Sequence, residues 1–241
     1  IVNKEERIPD VGYFQSAADN AGDADTVLWH GQEFHTSFWG HLGLLNLDDH
    51  LLTPDFASYR HTALASPFPH NGVIADLAHA QHALVGYVHP FDWLIVPEKE
   101  LKLSHQLPAD AINGKVDYLE VVGFSDHLAT ADVWYRLLNL GIHLAAGAGT
   151  DAMANYASLR GPLGMNRVFI NTDSLDKNAI NAKIRAGNSF VSNSALLGLQ
   201  VNSQAPGSVL NGKAGETVTV SASTRSIAPM QQLELVHNGA V

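Results

Sequence analysis

No cysteine occurs among the 241 residues. That absence excludes thiolate zinc sites, iron–sulfur clusters, cysteine nucleophiles and disulfide stapling together, and it leaves the redox compartment undetermined. Any transition metal must then be held by imidazole and carboxylate. Basic residues are scarce as well: 14 Lys and Arg against 24 Asp and Glu give a formal net charge of -10. A general nucleic-acid surface needs clustered cations facing phosphate, so no nucleic-acid partner is expected. Long apolar runs of about 18 residues are missing too, and no segment reads as a membrane-spanning helix. The 20 Gly and 10 Pro follow no period, which excludes collagen-like and low-complexity chains. What is present is a 46% apolar chain able to bury roughly three quarters of its unfolded surface. One large domain, with or without a small appendage, is expected. Histidine is the surplus, at 13 residues.

Apolar runs alternate with helix signals. Val27-Leu28-Trp29 reads as the end of a strand. Asn71-Gly72 opens a helix with Val73, Ile74, Leu77 and Ala78 on one face, followed by the strand-like run 83–88. A strand over 116–122 precedes a helix capped at Thr130, with Val133, Trp134, Leu137 and Leu138 as its stripe and Gly141 as its stop. Strand-like Ile142 to Ala146 follows, then Val168-Phe169-Ile170 and a helix from about Thr172 to Gly187. Such alternation predicts a parallel α/β sheet with crossover helices, most simply a barrel or a fraction of one. Beyond about residue 190 the period becomes two, with turns at Pro206-Gly207 and Asn211-Gly212, and an antiparallel β module is expected there. The opening at Ile1 without Met, and a hairpin signal at Asn238-Gly239 just before the end, read as a piece of a longer protein.

In parallel α/β folds chemistry collects where strands end. Four such places carry ligand-type residues: Glu33 and His35 after Val27-Leu28-Trp29, His89 after 85–88, Asp126-His127 after 119–122, and Asp151 after 144–148. Carboxylate oxygens and neutral imidazoles form the ligand set of zinc, manganese or iron, and such ions generate hydroxide near neutral pH. The run from Glu33 to His41 also reads as a packed aromatic loop, yet a Glu among so many apolar residues is costly unless paired or metal-bound. Asp48-Asp49-His50 reads as a solvated turn or cap. His61, His70, His79, His82 and His105 read as surface groups, Glu98-Lys99-Glu100 as a solvated charge run and Trp134 as core. Gly147-Ala148-Gly149-Thr150 lacks the Lys of a phosphate loop, so nucleotide binding is discounted.

Gly31-Gln32-Glu33, Gly40-His41, Gly86-Tyr87-Val88-His89-Pro90, Asp117 to Val121, Trp134 to Gly141 and Gly149-Thr150-Asp151-Ala152 occur in an order that resembles the PHP-type metallohydrolases of the CehA/McbA group. Gly187 to Asn193 is similar to the segment leading from that barrel into a C-terminal β-sandwich. The resemblance implies a distorted (β/α)7 PHP-type barrel over residues 1–188, apparently lacking its first strand, followed by the start of a β-sandwich module over 189–241. It also implies two or three divalent metal ions. Glu33 would bridge them, with His89 and Asp151 as ligands and His127 as a further one. His41 lies close to that shell and would bind metal or substrate, and Arg160 would hold an anionic substrate group through its planar fork or else fix its loop by a salt bridge. The family's opening His-x-His would fall upstream of Ile1, and Met153 stands where many PHP proteins carry His; either Lys4 or Glu5 contributes to an altered site, or this stretch of chain cannot assemble a full cluster.

The expected activity is metal-dependent hydrolysis of phosphoester, carbamate or amide-like bonds in a small-molecule substrate by a metal-bound hydroxide, with His35, His41 or His127 moving the proton. The alternative is a catalytically degraded module that binds a ligand or docks a protein. Glycoside hydrolysis by Asp48 and Asp49 fails, because adjacent residues on one loop cannot flank a glycosidic bond. Oligomeric state and localisation stay open, with an extracytoplasmic setting slightly favoured.

Overall fold

The computed structural model describes residues 10–36, 38–52, 56–57, 67–91, 106–153 and 160–241. Lys4, Glu5, His61, Glu98, Lys99, Glu100 and His105 lie outside them. The chain divides into two compact units, residues 1–119 and 120–241.

In the first unit, α1 (Val11–Ala21) starts at Asp10, whose carboxylate accepts from the Gly12 amide at 2.8 Å. Strands β1 (Gly31–Thr36) and β2 (Leu42–Leu45) form an antiparallel hairpin pairing Glu33 with Gly43 and Phe34 with Leu42. Its connection turns through Gly40 at φ +90°, in the left-handed region that a side chain disfavours. β3 (Phe56–Ala57) runs parallel along the other edge of β1. After α2 (Asn71–His79), β4 (Leu84–Tyr87) pairs antiparallel with β2, and β5 (Tyr118–Val122), reached through α3 (Leu107–Ile112), pairs parallel with β4. Phe34, Leu42, Leu44, Ile74, Val85 and Leu107 are buried in this unit's core.

In the second unit the remainder of β5 lies beside β6 (Ala145–Ala148), with the Gly149 amide donating to the Val122 carbonyl at 3.1 Å. The intervening α4 (His127–Asn139) is capped by Asp126, which accepts from the Ala129 amide at 2.9 Å. Thr130, read from sequence as the cap, is buried in the first turn and donates back to the Asp126 carbonyl. The helix stops where Gly141 turns left-handed at φ +79°. β7 (Arg167–Ile170) and β8 (Ser189–Ser192) pair antiparallel around α5 (Lys177–Arg185), with the Phe169 and Phe190 rings stacked at 4.8 Å. β9 (Leu196–Val201) and β10 (Val220–Arg225) form a separate antiparallel ribbon.

The expected (β/α)7 barrel is therefore corrected. The fold is mixed α/β, with five helices among the described residues and no barrel closure among them. A parallel crossover needs a dozen or more residues. The connection between β1 and β2 spans only residues 37–41, so the two strands must run antiparallel, and β4 then pairs antiparallel with β2. This reversal breaks the all-parallel order that a barrel requires.

Candidate metal-binding site

Alternation along β1 sorts its side chains onto two faces. Gln32, Phe34 and Thr36 are buried, while Glu33 and His35 emerge on the opposite face. Both were expected beyond a strand end; they sit within the strand, because β1 starts at Gly31 and not at Val27. The hairpin register then brings in the other donors. Phe34 pairs with Leu42, so His41, one residue before β2, comes beside His35 and the two rings stack at 4.4 Å. Leu42 also pairs with Tyr87, and the Val88 amide donates to the His41 carbonyl at 3.2 Å. His89, next along the chain, thereby meets His41 edge to face at 5.0 Å.

Three imidazoles converge on one carboxylate. His41 Nδ1 lies 2.9 Å and His89 Nε2 2.8 Å from Glu33 Oε1, and His35 Nε2 lies 3.1 Å from Oε2. A carboxylate only accepts, so each imidazole presents an N–H to it. Burial pushes the Glu33 carboxyl up, but the hydrogen bonds from His35, His41 and His89 outweigh it and hold the acid well below the usual carboxylate range. The side chain is one third exposed, at 33%, so the anion is reachable from solvent.

Glu33, His41 and His89 could hold a metal ion: each offers one ligand atom, and the three atoms lie within 4.8 Å of one another. Two ligands of one zinc ion lie at most about 4.2 Å apart, so the side chains need only small adjustments to fit. His89 also carries a left-handed backbone, φ +34°, uncommon for a residue with a side chain and a mark of a position held by its surroundings.

Tyr118 was not foreseen as part of this face. A Cβ on Gly43 would strike its hydroxyl and one on Gly86 its ring, so Tyr118 lies over both glycines on the side where Glu33 stands opposite Gly43. Its hydroxyl donates to the Gly43 carbonyl at 3.1 Å. Glycines inside two neighbouring strands were the available signal.

The remaining expected site residues belong to the second unit. Asp151, with φ +52°, holds Arg160 at 2.6 Å, and Arg160 also lies over the Phe124 ring at 4.5 Å. His127 Nε2 donates to the Gly123 carbonyl at 2.8 Å. Of the other histidines, His82 pairs with Asp48 and His50 with Asp49 in exposed positions, whereas His79 is half-buried against Asp117 at 3.0 Å and not a simple surface group. Comparison of the chain with models of protein families, with curated proteins and with solved structures finds no significant match.

Proposed function

We propose that the chain is a metal-dependent hydrolase with its reaction centre at Glu33, acting on phosphoester, carbamate or amide-like bonds. The observation carrying this reading is one carboxylate, well below its ordinary pKa, gathered with three imidazoles on one sheet face. The order of motifs, which resembles that of the CehA/McbA group, is in keeping with it. A divalent ion such as zinc, manganese or iron at Glu33, His41 and His89 would supply polarisation of the scissile bond and ionisation of water near neutral pH. Glu33 contributes the negative charge, and His41 and His89 contribute neutral nitrogen donors.

His35 has a different role. It bonds the second oxygen of Glu33 and is not one of the three grouped ligands, which leaves its ring available to hold a proton and pass it to the departing group. The stacked His41 ring limits its rotation.

Metal analysis of the purified protein, combined with turnover of bis(p-nitrophenyl) phosphate and p-nitrophenyl esters, tests this reading. Stoichiometric metal is expected, with metal and activity both lost on His89→Ala. Full activity in a metal-free His89→Ala protein overturns it. A wild-type protein that takes up no divalent ion and turns over nothing would favour the binding-module alternative.

A further inference from the structure

The hairpin connection that carries His41 is held from below by a buried polar chain. Asn71 is fully buried, and its Nδ2 lies 2.9 Å from the Gly40 carbonyl and 3.0 Å from that of Trp39. Its Oδ1 accepts from Thr36 Oγ1 at 2.8 Å, and the same Nδ2 lies 3.0 Å from the Tyr87 hydroxyl. Tyr87, also fully buried, donates to Asp110 Oδ2 at 2.7 Å, and Gln106 Nε2 donates to Asp110 Oδ1 at 2.9 Å. Gln106 closes the circuit by accepting from the Asn71 amide at 3.1 Å.

The direction of these bonds is set at one end. Asp110 is 3% exposed and, as a carboxylate, only accepts, so the Tyr87 proton points to it. The Tyr87 oxygen must then accept from Asn71. That fixes which end of the amide is nitrogen, and the nitrogen is what two carbonyls of the connection require. Reversing the amide would set its oxygen against the Gly40 and Trp39 carbonyls, which would then keep only the Thr36 hydroxyl at 2.6 Å and the Gln106 amide at 3.3 Å as donors. Buried chains of this kind polarise along their length, and a break at any link is felt at the others.

Resting on the metal reading above, we infer that Asp110, Tyr87 and Asn71 are positioning residues for the site. They hold the Thr36–Gly40 connection so that His35 and His41 stack and His41 presents Nδ1 to Glu33. None of the three is a ligand. Metal affinity should nevertheless depend on them as it does on outer hydrogen-bonding partners elsewhere, by about 10-fold to 100-fold.

Zinc titration of the intact chain by calorimetry tests this, beside the imidazole N–H signals of His35 and His41 in the metal-free protein. Tyr87→Phe should weaken zinc binding by about 10-fold to 100-fold and shift or erase the His41 Nδ1–H signal. His79→Ala removes a half-buried bond to Asp117 away from the connection and should change neither reading. Unchanged affinity and an unchanged His41 signal in Tyr87→Phe overturn the inference. If wild-type protein binds no zinc, the metal reading fails; loss of the His41 signal in Tyr87→Phe then still supports the positioning role, and its persistence refutes it. Should Tyr87→Phe not fold, Asp110→Asn keeps the shape and is read by the same two signals.

Discussion

Glu33 within β1 and Asp151 beyond the end of β6 are both carboxylates, and their neighbours give them opposite chemistry. Glu33 stands among three imidazoles, side chains whose neutral ring offers a nitrogen ligand. Asp151 is held at 2.6 Å by Arg160, a cation that does not deprotonate, and the guanidinium is further committed to the Phe124 ring. A divalent ion at Glu33 would find two imidazole nitrogens grouped with the carboxylate. One arriving at Asp151 would first have to break an ion pair. Residue type alone nominated both; what surrounds each carboxylate separates them.

The most damaging test of this contrast is Glu33→Gln. It should abolish stoichiometric metal uptake, a fall of at least about 100-fold in affinity, read by equilibrium dialysis with elemental analysis. Asp151→Asn should leave that uptake within about threefold of wild type if the contrast holds.

Next in size, Arg160→Ala leaves Asp151 without its cation. Both side chains are partly buried, at 28% and 16% exposure, so the loss should fall between the surface and the buried limits, about 1–3 kcal/mol, read as a lower urea midpoint. Metal uptake at Glu33 should not change.

Acid sharpens the comparison further. The folded Glu33 carboxyl lies below its value in the unfolded chain, so the unfolded state binds the proton first as pH falls. The contribution of Glu33 to stability is complete above about pH 4.5 and is lost as pH drops toward the depressed folded value. In urea melts of metal-free protein, any stability advantage of wild type over Glu33→Gln should stay constant above about pH 5 and shrink below about 4.5.

The smallest effect belongs to His127→Ala. Its ring makes one hydrogen bond, to Gly123, so a cost of about 1 kcal/mol and unchanged metal content are expected from melting and elemental analysis. Loss of metal on this substitution would restore His127 as a ligand.

Local pattern exposed much of the secondary structure. The run at 83–88 contains β4, the stripe with Gly141 behind it lies within α4, and period-two sequence after 190 contains β9 and β10. Starts were read less well: Asp126 displaced Thr130 as a cap, and α5 begins at Lys177, four or five residues later than the expected Asp173 or Thr172, because Asp176 accepts from the Ala179 amide. Topology failed where a short connection was treated as a place for ligands only. Five residues between Thr36 and Leu42 cannot cross a sheet, and that fact was already in the sequence. For the site, Glu33, His41 and His89 were nominated individually, but their meeting depends on register, which pairs residues 33 with 43 and 42 with 87. Register is a property of two strands together, and no single stretch displays it. The support beneath them was hidden for the same reason: Asn71 looks like a helix-opening residue and Tyr87 like part of an apolar strand, yet each spends its polar atoms on partners at least 16 positions away.

Gly43 and Gly86, side by side under the Tyr118 ring, make the face beside Glu33 intolerant of the smallest possible change. A methyl at Gly86 would strike the Tyr118 ring, and one at Gly43 would strike its hydroxyl and the Val88 side chain. The seat of Tyr118 thus depends on two hydrogens, and the mildest mutation in the genetic code is there among the least conservative.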